Sequence, residues 1–372
     1  MTASNPNNIQ LAREAGQSIW LDFINRDLLR SGKLAELVEL GLGGLTSNPT
    51  IFQSAIAQGS DYDDDLERLA SEGLDANATF EGLATKDIAD AADIFRPTYD
   101  RLGGADGFVS IEVDPQLAGD TQSTVEQARR LFATLDRPNV FIKVPATPEG
   151  IPAIRTLIGE GINVNVTLIF SRDAYRNVAN AYIDGLADYK SKGNSDLSGI
   201  ASVASFFVSR VDSNIDARLG DASDSSLKGK AGTANAKLAY ADFREIFGTE
   251  KFAALKASGA RVQRPLWAST SVKNPAYPEL MYVNGLIGPD TVDTLPPATL
   301  DAFLDHGVVA QTLTEGLESA QRDMAALAAA GVNIDDVTDE LIAAGVASFT
   351  ASYVELMADI EAKRDSLAAT AR

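Results

Sequence analysis

Short apolar runs that alternate strictly with polar residues recur along this chain, separated by longer stretches with helical spacing. The clearest run is residues 161–170, where Ile162, Val164 and Val166 alternate with Asn163, Asn165 and Thr167. Period-two alternation marks a strand with one apolar and one polar face. The same pattern sets Val109, Ile111 and Val113 against Ser110, Glu112 and Asp114. It also pairs Trp20 with Asp22, Thr46 with Asn48, Ser205 with Phe207, and Ser269 with Ser271. Strands are therefore predicted at residues 17–23, 44–52, 107–115, 139–147, 161–170, 200–208, 265–271 and 280–287. Helices are predicted at residues 25–40, 53–104, 121–135, after 147–150, at 171–189 and at 210–219. Residues 61–69 within this set are acidic and expected to be exposed. A Gly/Ser/Asp/Lys loop at 220–232 leads to two more helical segments, and an Ala-rich helical stretch runs from about 310 to 372.

Eight strands alternating with helices imply a parallel sheet with right-handed crossovers. At 372 residues, closure into a (β/α)8 barrel is the expected α/β fold. The whole chain, residues 1–372, is expected to form one domain. Its barrel core spans about 15–310, and a C-terminal helical extension at about 311–372 packs on it.

The strand Asn139-Val140-Phe141-Ile142-Lys143-Val144-Pro145-Ala146-Thr147 carries a lysine inside an apolar, β-branched run. Desolvation there disfavours the ammonium. Lys143 is therefore either a lysine whose stem snorkels to water or a neutral, nucleophilic amine able to form a Schiff base. In a barrel the polar faces point to the lumen, and chemistry sits at the C-terminal ends of the strands. Lys143, Glu112, Asp22, Asn48, Asn165 and Thr167 would gather there. Each alone has an ordinary reading, such as a strand-ending residue that satisfies a loop. Together they form either a complete hydrogen-bonded network or a site, because unpartnered buried polar groups are costly.

Composition narrows the chemistry. The formal net charge of −20 argues against a nucleic-acid or anionic-membrane partner. The absence of cysteine excludes disulfides, thiolate catalysis and Cys-ligated metals, and suits a cytoplasmic protein. The single histidine, His306, precedes Gly307 and is expected near a helix C-terminus rather than in catalysis. The N-terminal residues show no basic-then-apolar signal, and no apolar run is expected to be long enough to span a bilayer.

Leu45-Thr46-Ser47-Asn48-Pro49-Thr50, Phe141-Ile142-Lys143-Val144-Pro145-Ala146-Thr147 and Asn163-Val164-Asn165-Val166-Thr167-Leu168-Ile169-Phe170-Ser171 resemble the transaldolase family, most closely its longer bacterial members. The resemblance extends through Asp22, Glu112, Ser205-Phe206-Phe207-Val208-Ser209-Arg210 and Ser271-Val272-Lys273-Asn274, and covers most of residues 15–290 in order. It implies transfer of a dihydroxyacetone unit from sedoheptulose 7-phosphate or fructose 6-phosphate to glyceraldehyde 3-phosphate or erythrose 4-phosphate, in the non-oxidative pentose phosphate pathway. By this likeness Lys143 would form the Schiff base, with no cofactor and no metal. Asp22 would be the general acid/base, and Glu112 with Thr167 would position a water. Asn48 and Asn165 would bond the dihydroxyacetone moiety, Ser205 a substrate hydroxyl, and Phe207 would wall the site. Arg210, Ser271 and Lys273 would hold the phosphate. Lys273 stands where many members have arginine, so charge is kept but the bidentate fork is lost. Arg210, five residues after Ser205, must lie beyond the strand end to reach the site; otherwise it is a surface arginine paired with Asp212 or Asp216. The expected partners are sugar phosphates, with the chain a monomer or homodimer. Two other functions stay open: an aldolase that releases the three-carbon product, and a barrel that binds sugar phosphate without catalysis.

Overall fold

Each strand found here is bounded by turn chemistry that stops it within a few residues. In the computed structural model, which describes residues 5–220 and 225–370, these are β1 (Gln17–Asp22), β2 (Gly44–Thr46), β3 (Phe108–Glu112), β4 (Val140–Pro145), β5 (Val164–Ile169), β6 (Ser202–Phe207), β7 (Arg264–Ala268) and β8 (Thr291–Leu295). They close in chain order into one barrel, and β8 pairs parallel with β1 from Gln17↔Thr291 to Leu21↔Leu295. The fold is a (β/α)8 barrel.

The two strand faces separate into two apolar layers. Ile19, Val109, Ile111, Ile142, Val164, Val166 and Trp267 pack outward against the helices. Trp20, Phe108, Phe141, Val203, Leu266 and Val292 fill the lumen. Phe108 stacks on Phe141 at 4.3 Å and Trp20 on Phe141 at 6.1 Å. Below this stack, Trp20 Nε1 donates to Asp106 at 2.9 Å, and Arg264 pairs with the same carboxylate at 3.4 Å. The floor is thus a packed plug, and the cleft opens at the C-terminal mouth.

Three expectations change. The apolar run 280–287 is not a strand: Met281–Gly285 is a short helix, and β8 lies further on, at Thr291–Leu295. The outward-facing polar residues of β8 each find a hydrogen-bond partner. Thr291 Oγ1 donates to the Gly288 carbonyl at 2.6 Å, and Thr270 Oγ1 donates to Asp293 at 2.8 Å. Residues 53–104 divide into helices Pro49–Gln58, Asp63–Ser71 and Ala76–Arg101. The acidic stretch 61–69 is only half exposed: Tyr62, Leu66 and Leu69 are buried, and Asp65 pairs with buried Arg26 at 2.6 Å. Part of the predicted 220–232 loop, at 221–224, lies outside the described residues. His306 ends the helix Pro297–His306, as its context suggested.

The third change concerns the C-terminal helix, Ile334–Thr370. Its segment Ile334–Leu367 does have the length and apolar composition of a membrane-crossing helix, owing to its many alanines. Its large buried side chains, however, form a stripe: Val337, Leu341, Phe349, Tyr353, Leu356 and Ile360. Spacings of three, four and eight place them on one helix face. That face lies on the barrel. Thr50 Oγ1 donates to Ser352 at 2.8 Å, Gln53 Nε2 to Asp359 at 2.9 Å, and Tyr353 OH to Asn77 at 3.0 Å. The helix crosses beside the mouth and brings Phe349 to it.

Candidate active site

Strand register sets the site. Glu112 on β3 pairs with Lys143 on β4, which pairs with Asn165 on β5, while Asp22 on β1 pairs with Thr46 on β2. Parallel pairing keeps these side chains on the lumenal face and in one layer. Lys143 is 5% exposed. Its Nζ lies 3.3 Å from Glu112 Oε2 and donates to the Ser47 carbonyl at 3.3 Å. Snorkelling does not describe it, since its Nζ ends among buried groups.

Both carboxyls are held above their ordinary values. Burial raises Asp22, while Lys143, the Thr46 hydroxyl and Arg210 pull it back in part. Burial likewise raises Glu112; Lys143 opposes this and the Asp22 charge adds to it. Thr46 Oγ1 donates to Asp22 at 2.6 Å and contacts Thr294 Oγ1 at 2.7 Å. Glu112 Oε2 and Thr167 Oγ1 are buried without a hydrogen-bond partner, although Glu112 Oε2 keeps its ion-pair contact to Lys143.

Above this layer the mouth holds a cleft of about 180 Å³. Nine expected residues line it: Asp22, Asn48, Lys143, Thr167, Ser205, Phe207, Arg210, Ser271 and Lys273. Glu112 and Asn165 sit behind the lining. Glu112 borders a smaller void with Ser47, Asn48 and Tyr353. Asn165 is fully buried, accepting from Ser205 Oγ at 2.7 Å and donating to Ser110 Oγ at 3.1 Å.

The loops deliver the remaining groups. Asn48 is extended, as a residue before proline must be. Its Oδ1 caps the next helix by accepting from Ile51 N at 3.0 Å, a cap worth ~1 kcal/mol. Arg210 falls in the first turn of the helix Ser209–Leu219, beyond the end of β6, so the alternation of the strand no longer governs it. Its guanidinium lies 5.2 Å from the Phe207 ring centroid, and burial lowers its pKa against the opposing charge of Asp22. Asp212 and Asp216 are engaged elsewhere, by Tyr282 and Tyr277. Lys273 Nζ donates to Ser271 Oγ at 2.9 Å.

Thr46 and Ser269, read from sequence as polar-face residues without an assigned role, also line the cleft, and Thr294, Ala268, Pro296 and Phe349, not anticipated from sequence, complete the lining. Thr294 was hidden because β8 was placed too early. Phe349 has a sequence signal, its place in the stripe Leu341, Gly345, Phe349, Tyr353, but nothing local says where that stripe docks.

Fold and site together define a class: a closed parallel barrel with a polar cleft at its mouth and one buried lysine in the lining. The model of the Transaldolase/Fructose-6-phosphate aldolase family matches residues 19–360. A transaldolase of Mycolicibacterium paratuberculosis is 50% identical over 367 residues, covering 97% of this chain and 98% of that protein. A transaldolase of Mycobacterium marinum is 50% identical over 374 residues, covering 99% and 100%, and one of Mycobacterium tuberculosis is 48% identical with the same coverage. The chain belongs to the transaldolase family.

Proposed function

We propose that this transferase moves a dihydroxyacetone unit from sedoheptulose 7-phosphate or fructose 6-phosphate to glyceraldehyde 3-phosphate or erythrose 4-phosphate, through a Schiff base on Lys143. The observation that carries this reading is the buried Lys143 Nζ, 3.3 Å from Glu112 Oε2, at the floor of an open cleft. The raised Glu112 carboxyl takes the amine's proton, leaving a nucleophile that adds to the ketone carbon. Water leaves as the protonated imine forms. Asp22 then takes the proton of the hydroxyl next to the breaking C–C bond, and the electron pair is drawn toward the imine. Bond formation to the acceptor aldehyde reverses these moves. The open hydrogen-bonding atoms of Glu112 and Thr167 suit the handling of water in imine formation and hydrolysis.

Asn48 and Ser205 meet the three-carbon unit, with Asn165 holding Ser205, and Phe207 walls the cleft. Arg210, Ser271 and Lys273 form the phosphate end. Three cations line a cleft with one carboxylate, Asp22, on a chain of net charge −20. Such local concentration of positive charge favours an anionic substrate. The reading includes a cytoplasmic setting in the pentose phosphate pathway, a single domain, a monomer or homodimer, and neither nucleic-acid nor membrane partners.

Borohydride reduction with fructose 6-phosphate tests it. A covalent adduct is expected at Lys143 and none in Lys143→Ala, with turnover reduced by at least ~10⁴-fold. Failure to label the unmodified enzyme overturns the reading and would favour a binding barrel. Free dihydroxyacetone as the main product without acceptor would instead favour an aldolase. At the phosphate end, Lys273→Ala is expected to raise KM for phosphorylated substrates more than for dihydroxyacetone-type ones; equal effects remove Lys273 from that site.

A further inference from the structure

Every lining residue of the cleft but one comes from the barrel strands or the segments directly after them. The exception is Phe349, from the middle of the C-terminal helix. Its ring centroid lies 5.8 Å from Lys143 Nζ, within the reach of about 6 Å at which a ring face attracts a cation. The residue is 5% exposed and joins an apolar cluster with Leu168, Phe170 and Phe207.

Strand β5 is irregular close to this helix. Register with β6 shifts between Val166 and Ile169, and Leu168 takes a positive φ of 58°. This conformation is unusual for a bulky residue. By alternation Leu168 would face outward with Val164 and Val166; at the irregularity it packs instead in the cluster that holds Phe349. There it meets Gly345, one turn before Phe349. A Cβ on Gly345 would lie 2.8 Å from Leu168 Cδ2. The glycine leaves room for the end of the Leu168 side chain against the helix beside Phe349.

We propose that Phe349 is a specificity-determining residue of the cleft, which keeps water from the Lys143-bound carbanion and so favours transfer over release. The inference rests on the Schiff-base reading above. After C–C cleavage the electron pair sits on the carbon next to the imine, and Asp22 holds the hydroxyl proton. In transfer, that carbon bonds to the acceptor aldehyde carbon, and the new alkoxide takes the proton back. In release, the carbon takes a proton from Asp22 or from water in exchange with it. Water then adds to the imine carbon, the Lys143 amine leaves, and free dihydroxyacetone results. The first aldehyde must depart and the second must arrive while the carbanion waits. Most of the lining is hydroxyls, amides and charges, which order water readily. Phe207, the other lining aromatic, already lies beneath Arg210. Phe349 is the apolar face set over the lysine nitrogen, and excluding water suppresses such side reactions.

The experiment measures, on the full chain with fructose 6-phosphate, free dihydroxyacetone released against product transferred to erythrose 4-phosphate, alongside borohydride trapping. Trapping is expected in the unmodified enzyme, Phe349→Ala, Phe349→Leu and Gly345→Val. The release-to-transfer ratio is expected to rise about tenfold in Phe349→Ala and about threefold in Phe349→Leu, which retains more apolar cover. Gly345→Val, which does not line the cleft, is expected to shift the ratio the same way by lifting the helix. Thermal melts identify variants that fold, and Phe349→Leu decides the matter if the other two do not. Normal trapping with an unchanged ratio in the folded variants overturns the role of Phe349 alone. Absence of trapping in the unmodified enzyme overturns the Schiff-base reading beneath it.

Discussion

Asp293 is fully buried on the helix-facing side of β8, and Thr270 is the partner of one of its oxygens. The other oxygen has no hydrogen-bond partner. Burial pushes the carboxyl from 3.8 up to about 8, with Thr270 lowering it somewhat. The folded chain thus keeps a proton that the unfolded chain loses near pH 4. Stability from this group is complete below about pH 4 and is lost as the pH rises toward about 8. Asp293→Asn keeps the acceptor for Thr270 and removes the ionisation. Denaturant unfolding from pH 5 to 8 should show the variant gaining on the unmodified protein, on the order of a few kcal/mol across the window; parallel curves would show that Asp293 ionises without penalty. At the same scale, Lys143 illustrates what a single residue reveals. Its sequence context marked it as misplaced in an apolar strand, but only the neighbouring strands identified Glu112 as its partner.

Single elements were legible to the extent that one face was apolar and the other polar. β3 and β5 follow that rule, and the lumenal positions of Glu112, Asn165 and Thr167 follow from it. β8 breaks the rule: Thr291 and Asp293 face the helices, Thr294 faces the lumen, and the sequence Thr-Val-Asp-Thr-Leu shows no clean alternation. The more apolar run just before it forms a short helix instead. Its partners, Gln17 and Trp267, which donate to the Leu286 carbonyl, are far away in sequence. The loop after β7, which carries Ser271 and Lys273, also depends on distant contacts. Tyr277 OH donates to Asp216, and Tyr282 OH donates to Asp212 at 2.8 Å. Both aspartates belong to the helix whose first turn carries Arg210. Arg210 and Lys273, the two cations proposed for the phosphate end, thus belong to segments tied to each other. Tyr277→Phe should therefore raise KM for a phosphorylated donor several-fold while leaving kcat near its original value. A fall in kcat at constant KM would place the tyrosine in some other role.

Across the whole molecule, the C-terminal helix joins regions that the barrel alone keeps apart. It is tied to the helix Pro49–Gln58 through Ser352 and Asp359, to Asn77 through Tyr353, and to Arg218 through Glu340 at 2.5 Å. Many of these ties are polar and partly exposed, the kind of contact that opens locally before a core does. Hydrogen exchange should therefore slow at residues 345–353 once a three-carbon fragment is reduced onto Lys143, because the ring then has a filled cleft beneath it. An unchanged exchange profile would uncouple the helix from the cleft. The placement of Phe349 also has a consequence in time. β8 ends at Leu295, and Phe349 follows 54 residues later (349 − 295). At ~5–20 residues per second of synthesis, roughly 3–11 s separate the emergence of the last strand from that of the residue over the lysine. All eight strands, with the lysine and carboxyls they carry, are thus made before the residue that stands over the lysine.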